Sequence, residues 1–112
     1  MKNKYAGLIA TLAECAAACN RCAMLCIEGR DAHNMSACIQ LEIDCAQMCQ
    51  LTASFLSRNS VHTVHLVKVC AEICSACAVE CAKHSNQEHC KICEELCKQC
   101  ADMCLINAAI LN

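Results

Sequence analysis

Sixteen cysteines recur along the chain at steps of three and four residues, and their thiols are the side chains best suited to chemistry. Residues three or four apart share one face of an α-helix. Alternation of the two steps marks the a and d positions that bundled helices turn toward each other. Thiolates in this pattern could bind soft metal ions or form disulfides. The cysteines are Cys15, Cys19, Cys22, Cys26, Cys38, Cys45, Cys49, Cys70, Cys74, Cys77, Cys81, Cys90, Cys93, Cys97, Cys100 and Cys104.

Interpretations without metal are weak for this pattern. A bundle core filled with small cysteines in place of leucine would be poorly packed unless something else occupied it. Disulfides within a helix are disfavoured, because Cβ atoms at i and i+4 lie ~5–6 Å apart and a disulfide needs ~3.5–4.5 Å. Disulfides between helices remain open, although pairing all the cysteines would be unusual in a reducing compartment. Pairs such as Cys19/Cys22 lie inside the helical pattern, without the strand–helix–strand context of a thioredoxin-like site.

Charge favours Cu(I) among the candidate metals. Four-thiolate zinc sites would carry about −2 each in a low-dielectric core. With 9 basic against 11 acidic residues, the chain offers no obvious compensation. Iron–sulphur clusters meet the same difficulty and need more room. One Cu(I) per thiolate gives a neutral core, and Cu(I) prefers thiolate ligands. The sequence therefore predicts storage of many Cu(I) ions, with a zinc buffer or an iron–sulphur or redox protein as the alternatives.

Four helices of similar length are expected to position these thiols. The chain lacks proline and has two glycines, which favours helix almost throughout. Polar breaks separate segments 4–28, 35–56, 61–83 and 87–110, and short connections make neighbouring helices antiparallel. We predict an all-α protein, an antiparallel up-down-up-down four-helix bundle with a cysteine-lined core. The whole chain, 1–112, is expected to form this single domain.

The two ends of the predicted bundle differ. One end collects apolar seam residues and should be closed; they are Tyr5, Leu8, Leu12, Leu56, Val67 and Leu111, with Thr52, Thr63 and Asn107 beside them. The other end, which we call the mouth, collects Cys26, Cys38, Cys81 and Cys90. Met35 and His84 lie on the seam there and are candidate Cu(I) ligands. His33 and His89 are weaker candidates, because loop and flanking histidines are commonly solvated.

Glu42 interrupts the pattern in the second helix, at a seam position where a cysteine would fit. Three readings are open: a solvated side chain on a slightly rotated helix, a hydrogen-bond partner for a core thiol, or a hard metal ligand. The solvated side chain is the expectation favoured by the sequence, because unpaired carboxylates are rarely buried.

Repeated C-x-x-x-C pairs on every helix make the chain resemble the bacterial four-helix-bundle copper storage proteins, in the cytosolic branch that lacks an export signal. The pairs are Cys15/Cys19, Cys22/Cys26, Cys45/Cys49, Cys70/Cys74, Cys77/Cys81, Cys93/Cys97 and Cys100/Cys104. This resemblance covers essentially the whole chain. It implies loading with many Cu(I) ions and assembly as a homotetramer. Glu42 departs from the pattern and puts the local sites around Cys38 and Cys45 in doubt.

The remaining residues exclude several classes of function. A net charge of −2 and two aromatic residues, Tyr5 and Phe55, give no basis for nucleic-acid or membrane binding. The five histidines are expected at the periphery, so no polar cleft suggests an enzyme. Neither a signal peptide nor a membrane span is expected, because Glu14 interrupts the apolar stretch near the N-terminus and the cysteines of this segment continue the helical spacing. The predicted compartment is therefore the cytoplasm, where thiols stay reduced and a copper chaperone is a candidate partner. A second apolar stripe, Ile39, Ile43 and Ala46 with Leu66, Val69, Ile73 and Ala76, predicts a homo-oligomer independently of the resemblance.

Overall fold

A computed structural model describes residues 3–111 and shows the predicted four-helix bundle, about 47 Å long. The helices are α1 (Ala6–Glu28), α2 (Ser36–Ser57), α3 (Thr63–Ala82) and α4 (Glu88–Leu111). Helices α1 and α3 each pack against both α2 and α4, so the four helices form a closed ring around one core. The predicted helix boundaries differ from the observed ones by one or two residues at every end except the C-terminal end of α1, which is at Glu28 as predicted.

The connection between α1 and α2 is more structured than the sequence predicted. A short 3₁₀ helix, Ala32–Met35, packs against both helices at the mouth end, and α2 begins only after it. The side-chain amide of Asn34 donates a hydrogen bond to the Asp31 carboxylate at 2.8 Å, which holds this turn together. The 3₁₀ helix therefore lies across one end of the bundle.

Helix α2 ends in a Schellman turn. Asn59 has φ 52°, a left-handed conformation that asparagine adopts more readily than most residues. The Asn59 N–H donates to the Leu56 carbonyl at 3.2 Å, and the Ser60 N–H donates to the Phe55 carbonyl at 3.1 Å. These two bonds satisfy carbonyls that the last turn of a helix leaves unpaired. The chain can then reverse within a few residues into α3.

The closed end is built as predicted, from apolar side chains in place of thiols. Leu12, Leu56 and Val67 are completely buried, and Leu8 and Tyr5 are nearly so. Leu111 packs against this group from the end of α4. This end supplies ordinary hydrophobic stability, since each fully buried side chain of this size contributes ~1.5–3 kcal/mol.

Replacing Leu12 by alanine should lower the unfolding free energy of the metal-free protein by ~2–5 kcal/mol, because the change leaves a cavity in a close-packed layer. The matched control is Leu105→Ala, whose side chain is 56% exposed and whose loss should cost less than about 0.5 kcal/mol. Urea unfolding under reducing conditions measures both. Equal losses in the two variants would contradict the placement of Leu12.

By length and composition alone, α1 could cross a membrane, since its most apolar 18-residue window has a mean hydropathy of 1.3. Core helices of bundles and signal sequences near an N-terminus pass the same test. In the structure 39% of that window is buried, and Cys15, Cys19 and Cys22 of α1 face the bundle core. The sequence-based reading of this segment as a bundle helix therefore agrees with its packing.

Candidate metal centre

All sixteen cysteines are free thiols, and none is more than 1% exposed. Their Sγ atoms follow one another along the bundle axis, and neighbouring sulphurs in hydrogen-bonding contact lie 3.6–4.0 Å apart. We call this array the thiol column. It arises because every helix places its cysteines on the face that the bundle buries, so the predicted cysteine-lined core is confirmed.

Contacts across the bundle join the four helices through sulphur. Cys19 of α1 lies 3.6 Å from Cys97 of α4, measured between Sγ atoms. Cys45 of α2 lies 3.6 Å from Cys74 of α3. The Sγ atoms of Cys15 on α1 and Cys45 on α2 lie 4.0 Å apart, so sulphur contacts also join the α1–α4 pair to the α2–α3 pair. Soft-metal sites in this core would therefore take ligands from several helices at once.

Neighbouring groups of four thiols share members. Each group has all its Sγ atoms within 4.8 Å of one another. Cys15, Cys19 and Cys97 each belong to two groups; the groups are Cys15/Cys49/Cys74/Cys100, Cys15/Cys19/Cys45/Cys97 and Cys19/Cys77/Cys93/Cys97. Separate zinc sites would need separate sets of ligands. Shared sulphurs suit a metal that accepts bridging thiolates.

Sulphur spacing also fits Cu(I). With metal–sulphur bonds of ~2.3 Å, a trigonal site needs sulphurs ~4 Å apart and a linear site ~4.6 Å. The observed spacing of 3.6–4.0 Å is closer to the trigonal arrangement. Cysteines at i and i+4 on one helix could supply only two sulphurs, as for a linear site. Contacts between helices add a third sulphur, which spacing along one helix could not reveal.

Glu42 is completely buried, so the expectation that it is solvated is wrong. Its Oε2 accepts hydrogen bonds from the thiols of Cys38 at 3.3 Å and Cys81 at 3.4 Å, whereas Oε1 has no partner. A seam position inside the ring of helices gives the short side chain no path to water. Burial raises the pKa of the Glu42 carboxyl to about 8. Oε1 is an unpaired buried oxygen that a proton or a cation could satisfy.

This pKa shift gives Glu42 a contribution to the stability of the metal-free protein that decreases as pH rises. Between about pH 4.5 and 8 the folded state keeps a proton on Glu42 that the unfolded chain releases, so this contribution falls by up to about 1.4 kcal/mol per pH unit. Glu42→Gln should flatten this slope, because the amide keeps an oxygen acceptor and does not ionise. Hydrogen bonds with Cys22 and other neighbouring thiols lower the pKa of Cys81 to about 5, which acts in the opposite direction over the same window. The contribution of Glu42 is therefore the difference in slope between the original protein and Glu42→Gln.

Urea unfolding of the metal-free protein at pH 5, 6, 7 and 8, in the presence of reductant, measures this slope. The control is Glu14→Gln, at an exposed position on α1, which should leave the slope of the original protein in place. Equal slopes in the original protein and in Glu42→Gln would contradict the burial of a protonated Glu42.

His89 lies closer to the thiols than the other histidines of the described chain. From the sequence alone it was a weaker candidate ligand than His84. Its Nδ1 lies 3.4 Å from the Sγ of Cys22, 3.6 Å from that of Cys90 and 3.9 Å from that of Cys26. Together these four residues form a possible metal site of three sulphurs and one nitrogen. Adjacency to Cys90 in the sequence was the available signal, but the contact with α1 depends on how the helices pack.

The two predicted ligands at the mouth have different surroundings. Met35 is buried at 1% exposure, and the side-chain amide of Gln87 donates to its sulphur at 3.8 Å. His84 is partly exposed, and its Nε2 lies 3.3 Å from Glu80 Oε2. His33 is exposed. Met35 is thus buried at the mouth end of the bundle, and His84, which follows the end of α3, is held by the Glu80 carboxylate of that helix.

A four-helix bundle with a continuous column of buried, free, mutually shared thiols is a protein for binding several soft metal ions. Comparison with known families agrees with this class. The family model described as copper storage protein matches residues 1–109. The chain therefore belongs to the copper storage protein family.

Individual relatives are similar along most of their length. An uncharacterized cysteine-rich protein, YhjQ of Bacillus subtilis, is 37% identical over 86% of this chain and 88% of its own. The structure of Cu(I)-bound copper storage protein BsCsp3 is 35% identical, covers 89% of this chain and 93% of its own, and has a TM-score of 0.85. A cytosolic copper storage protein from Streptomyces lividans, solved with five coppers, is 36% identical, covers 91% and 89%, and has a TM-score of 0.89.

Proposed function

We propose that this protein stores many Cu(I) ions in the cytoplasm on the thiolates of its sixteen core cysteines. The observation that carries the proposal is the sharing of sulphurs between neighbouring four-thiol groups. Bridging thiolates let the number of ions approach the number of sulphurs, which is what a store requires. Similar proteins whose structures contain bound copper, one of them cytosolic, support both the cargo and the compartment.

Zinc buffering and iron–sulphur chemistry are less well supported by the core. The buried polar and charged side chains within residues 3–111 are Glu42, Thr52 and Thr63, so lysine and arginine contribute nothing there. Four-thiolate zinc sites would leave their negative charge uncompensated. Neutral Cu(I)–thiolate units avoid that cost. We infer a storage role without a catalytic residue, in a single domain formed by 1–112.

The proposed ligands are the sixteen cysteines, with Met35 and His84 at the mouth as predicted from the sequence. The structure adds His89, since its Nδ1 faces three thiols. The Met35 side chain is buried at the mouth end of the bundle, which is the correct end for a ligand. His84 would have to leave Glu80 to bind copper.

We also propose assembly as a homotetramer, with a copper chaperone as a candidate donor. Ile43 and Val69 are 40% and 43% exposed, and Ile39 and Ile73 are partly exposed beside them. An apolar stripe of this kind on α2 and α3 suits contact with further copies of the chain. Ala46 is buried inside the bundle, so it does not extend the stripe as the sequence suggested.

A metal comparison tests the proposed cargo. Reduced protein is loaded anaerobically with Zn(II), or with iron and sulphide, and then exposed to Cu(I). We expect Zn(II) to reach at most about four ions per chain and to be displaced by Cu(I), which binds thiolates more tightly. Stable sulphide-containing protein with intense visible colour, or zinc that Cu(I) cannot displace, would favour the alternatives.

A further inference from the structure

The surface between α1 and α4 contains a groove of about 560 Å³ beside the His89 site. Its walls include Arg21 and Leu25 of α1 and Glu88, His89 and Ile92 of α4, and Cys22 lies at its inner edge. This volume is in the range of sites that hold small molecules. The groove thus approaches the thiol column from the side of the bundle, where the partly exposed His89 ring contacts the Cys22 thiol.

The end of the bundle offers poorer access than this groove. Cys38 and Cys81 are completely buried there, at the same end as the buried Met35 and the 3₁₀ helix. Met35 is itself 1% exposed and is covered by Gln87. Copper approaching along the axis would have to displace this cover, whereas from the groove it meets the partly exposed His89 ring directly.

We propose that the groove binds a Cu(I) complex of a carboxylate-bearing low-molecular-weight thiol and receives its copper. This inference rests on the proposed storage function. The exposed Arg21 guanidinium suits a carboxylate of the carrier, and Glu88 suits an ammonium group. Thiols of this kind keep the cytoplasm reduced and are compatible with Cu(I). The apolar stretch formed by Leu25 and Ile92 accommodates the carbon chain between those charges.

Transfer is a ligand exchange without a change of oxidation state. A bis-thiolate complex, (RS–Cu–SR)⁻, passes Cu(I) to Cys22 and Cys90, whose Sγ atoms are 3.8 Å apart. Two carrier–sulphur bonds to copper break and two protein–sulphur bonds form. The protons of the two cysteine thiols move to the carrier thiolates, giving two RSH and (Cys–S–Cu–S–Cys)⁻. His89 Nδ1, 3.4 Å from Cys22 Sγ, can supply a third ligand during the exchange.

The test compares two carriers by anaerobic stopped-flow kinetics on the full chain: Cu(I) in excess glutathione, which carries carboxylates, and Cu(I) in excess 2-mercaptoethanol, which carries none. Arg21→Ala should slow delivery from glutathione about tenfold and leave delivery from 2-mercaptoethanol unchanged. The matched control is Arg30→Ala, at an exposed position near the end of the bundle, which should change neither rate. Total Cu(I) capacity should be the same in all three proteins.

Other results would overturn the proposal. Equal slowing with both carriers, or no slowing with either, would exclude recognition of the carboxylate. Slowing by Arg30→Ala in place of Arg21→Ala would assign delivery to the end of the bundle. A change in oligomeric state on Arg21→Ala without a change in rate would show that a second copy covers the groove. A capacity of four ions or fewer in the original protein would instead refute the storage function itself.

Discussion

Loading the reduced protein fully with Cu(I) should raise its midpoint of thermal unfolding by more than about 20 °C. A ligand at a thousand times its dissociation constant stabilises the folded state by ~4 kcal/mol per site, and the column offers many sites. For a domain of this size 1 kcal/mol corresponds to several degrees. The unfolded chain can bind copper through its cysteines, but it cannot place sulphurs from four helices around one ion.

Circular dichroism during anaerobic heating measures this shift. The control is the same sample after removal of copper by an excess of a strong Cu(I) chelator, which should return the midpoint to that of the metal-free protein. A shift below about 5 °C at full loading would mean that copper binds outside the bundle core. Reversal by the chelator separates metal binding from disulfide formation, which the chelator would not undo.

Replacing the four cysteines of the central group by serine should remove about a quarter of the Cu(I) capacity, which is four of sixteen thiols. The group is Cys15, Cys19, Cys45 and Cys97. Serine has nearly the same shape, but its hydroxyl is a poor ligand for Cu(I). Because three of these sulphurs, those of Cys15, Cys19 and Cys97, are shared with adjacent groups, the variant should also bind the remaining ions more weakly than the original protein.

Metal analysis after anaerobic loading and gel filtration, followed by competition with a Cu(I) chelator, measures both effects. The matched control exchanges four cysteines nearer the ends of the column, Cys26, Cys38, Cys90 and Cys104, for serine. It should lose a similar number of ions, but the ions at the centre should keep their affinity. Loss of one ion or none from the central variant would show that those thiols are not ligands.

The main features of the fold could be predicted because the cysteines themselves mark the buried positions. Steps of three and four along each helix define one face, and four such faces can be buried together only in a bundle. The position of the closed end could be predicted from the same spacing, because Leu12, Leu56 and Val67 continue the buried face of their helices beyond the last cysteines. Local periodicity was therefore sufficient for the core.

Residues whose role depends on contacts between helices were predicted less well. Glu42 was assigned to solvent because a buried carboxylate is costly, but hydrogen bonds from Cys38 and Cys81, together with a raised pKa, make burial possible. His89 was ranked low because it flanks the seam. Its contact with Cys22, 67 residues away in the sequence, depends on the packing of α4 against α1. Spacing along one helix carries no information about such contacts.

The most direct test of a thiol-based copper store is the number of Cu(I) ions that one chain holds. Reduced protein is titrated anaerobically with Cu(I) in the presence of a chromophoric chelator, and bound copper is counted after gel filtration. The structure predicts a capacity close to the sixteen core thiols, because bridging sulphurs allow about one ion each. A capacity of four ions or fewer per chain would mean isolated four-thiolate sites and would contradict storage.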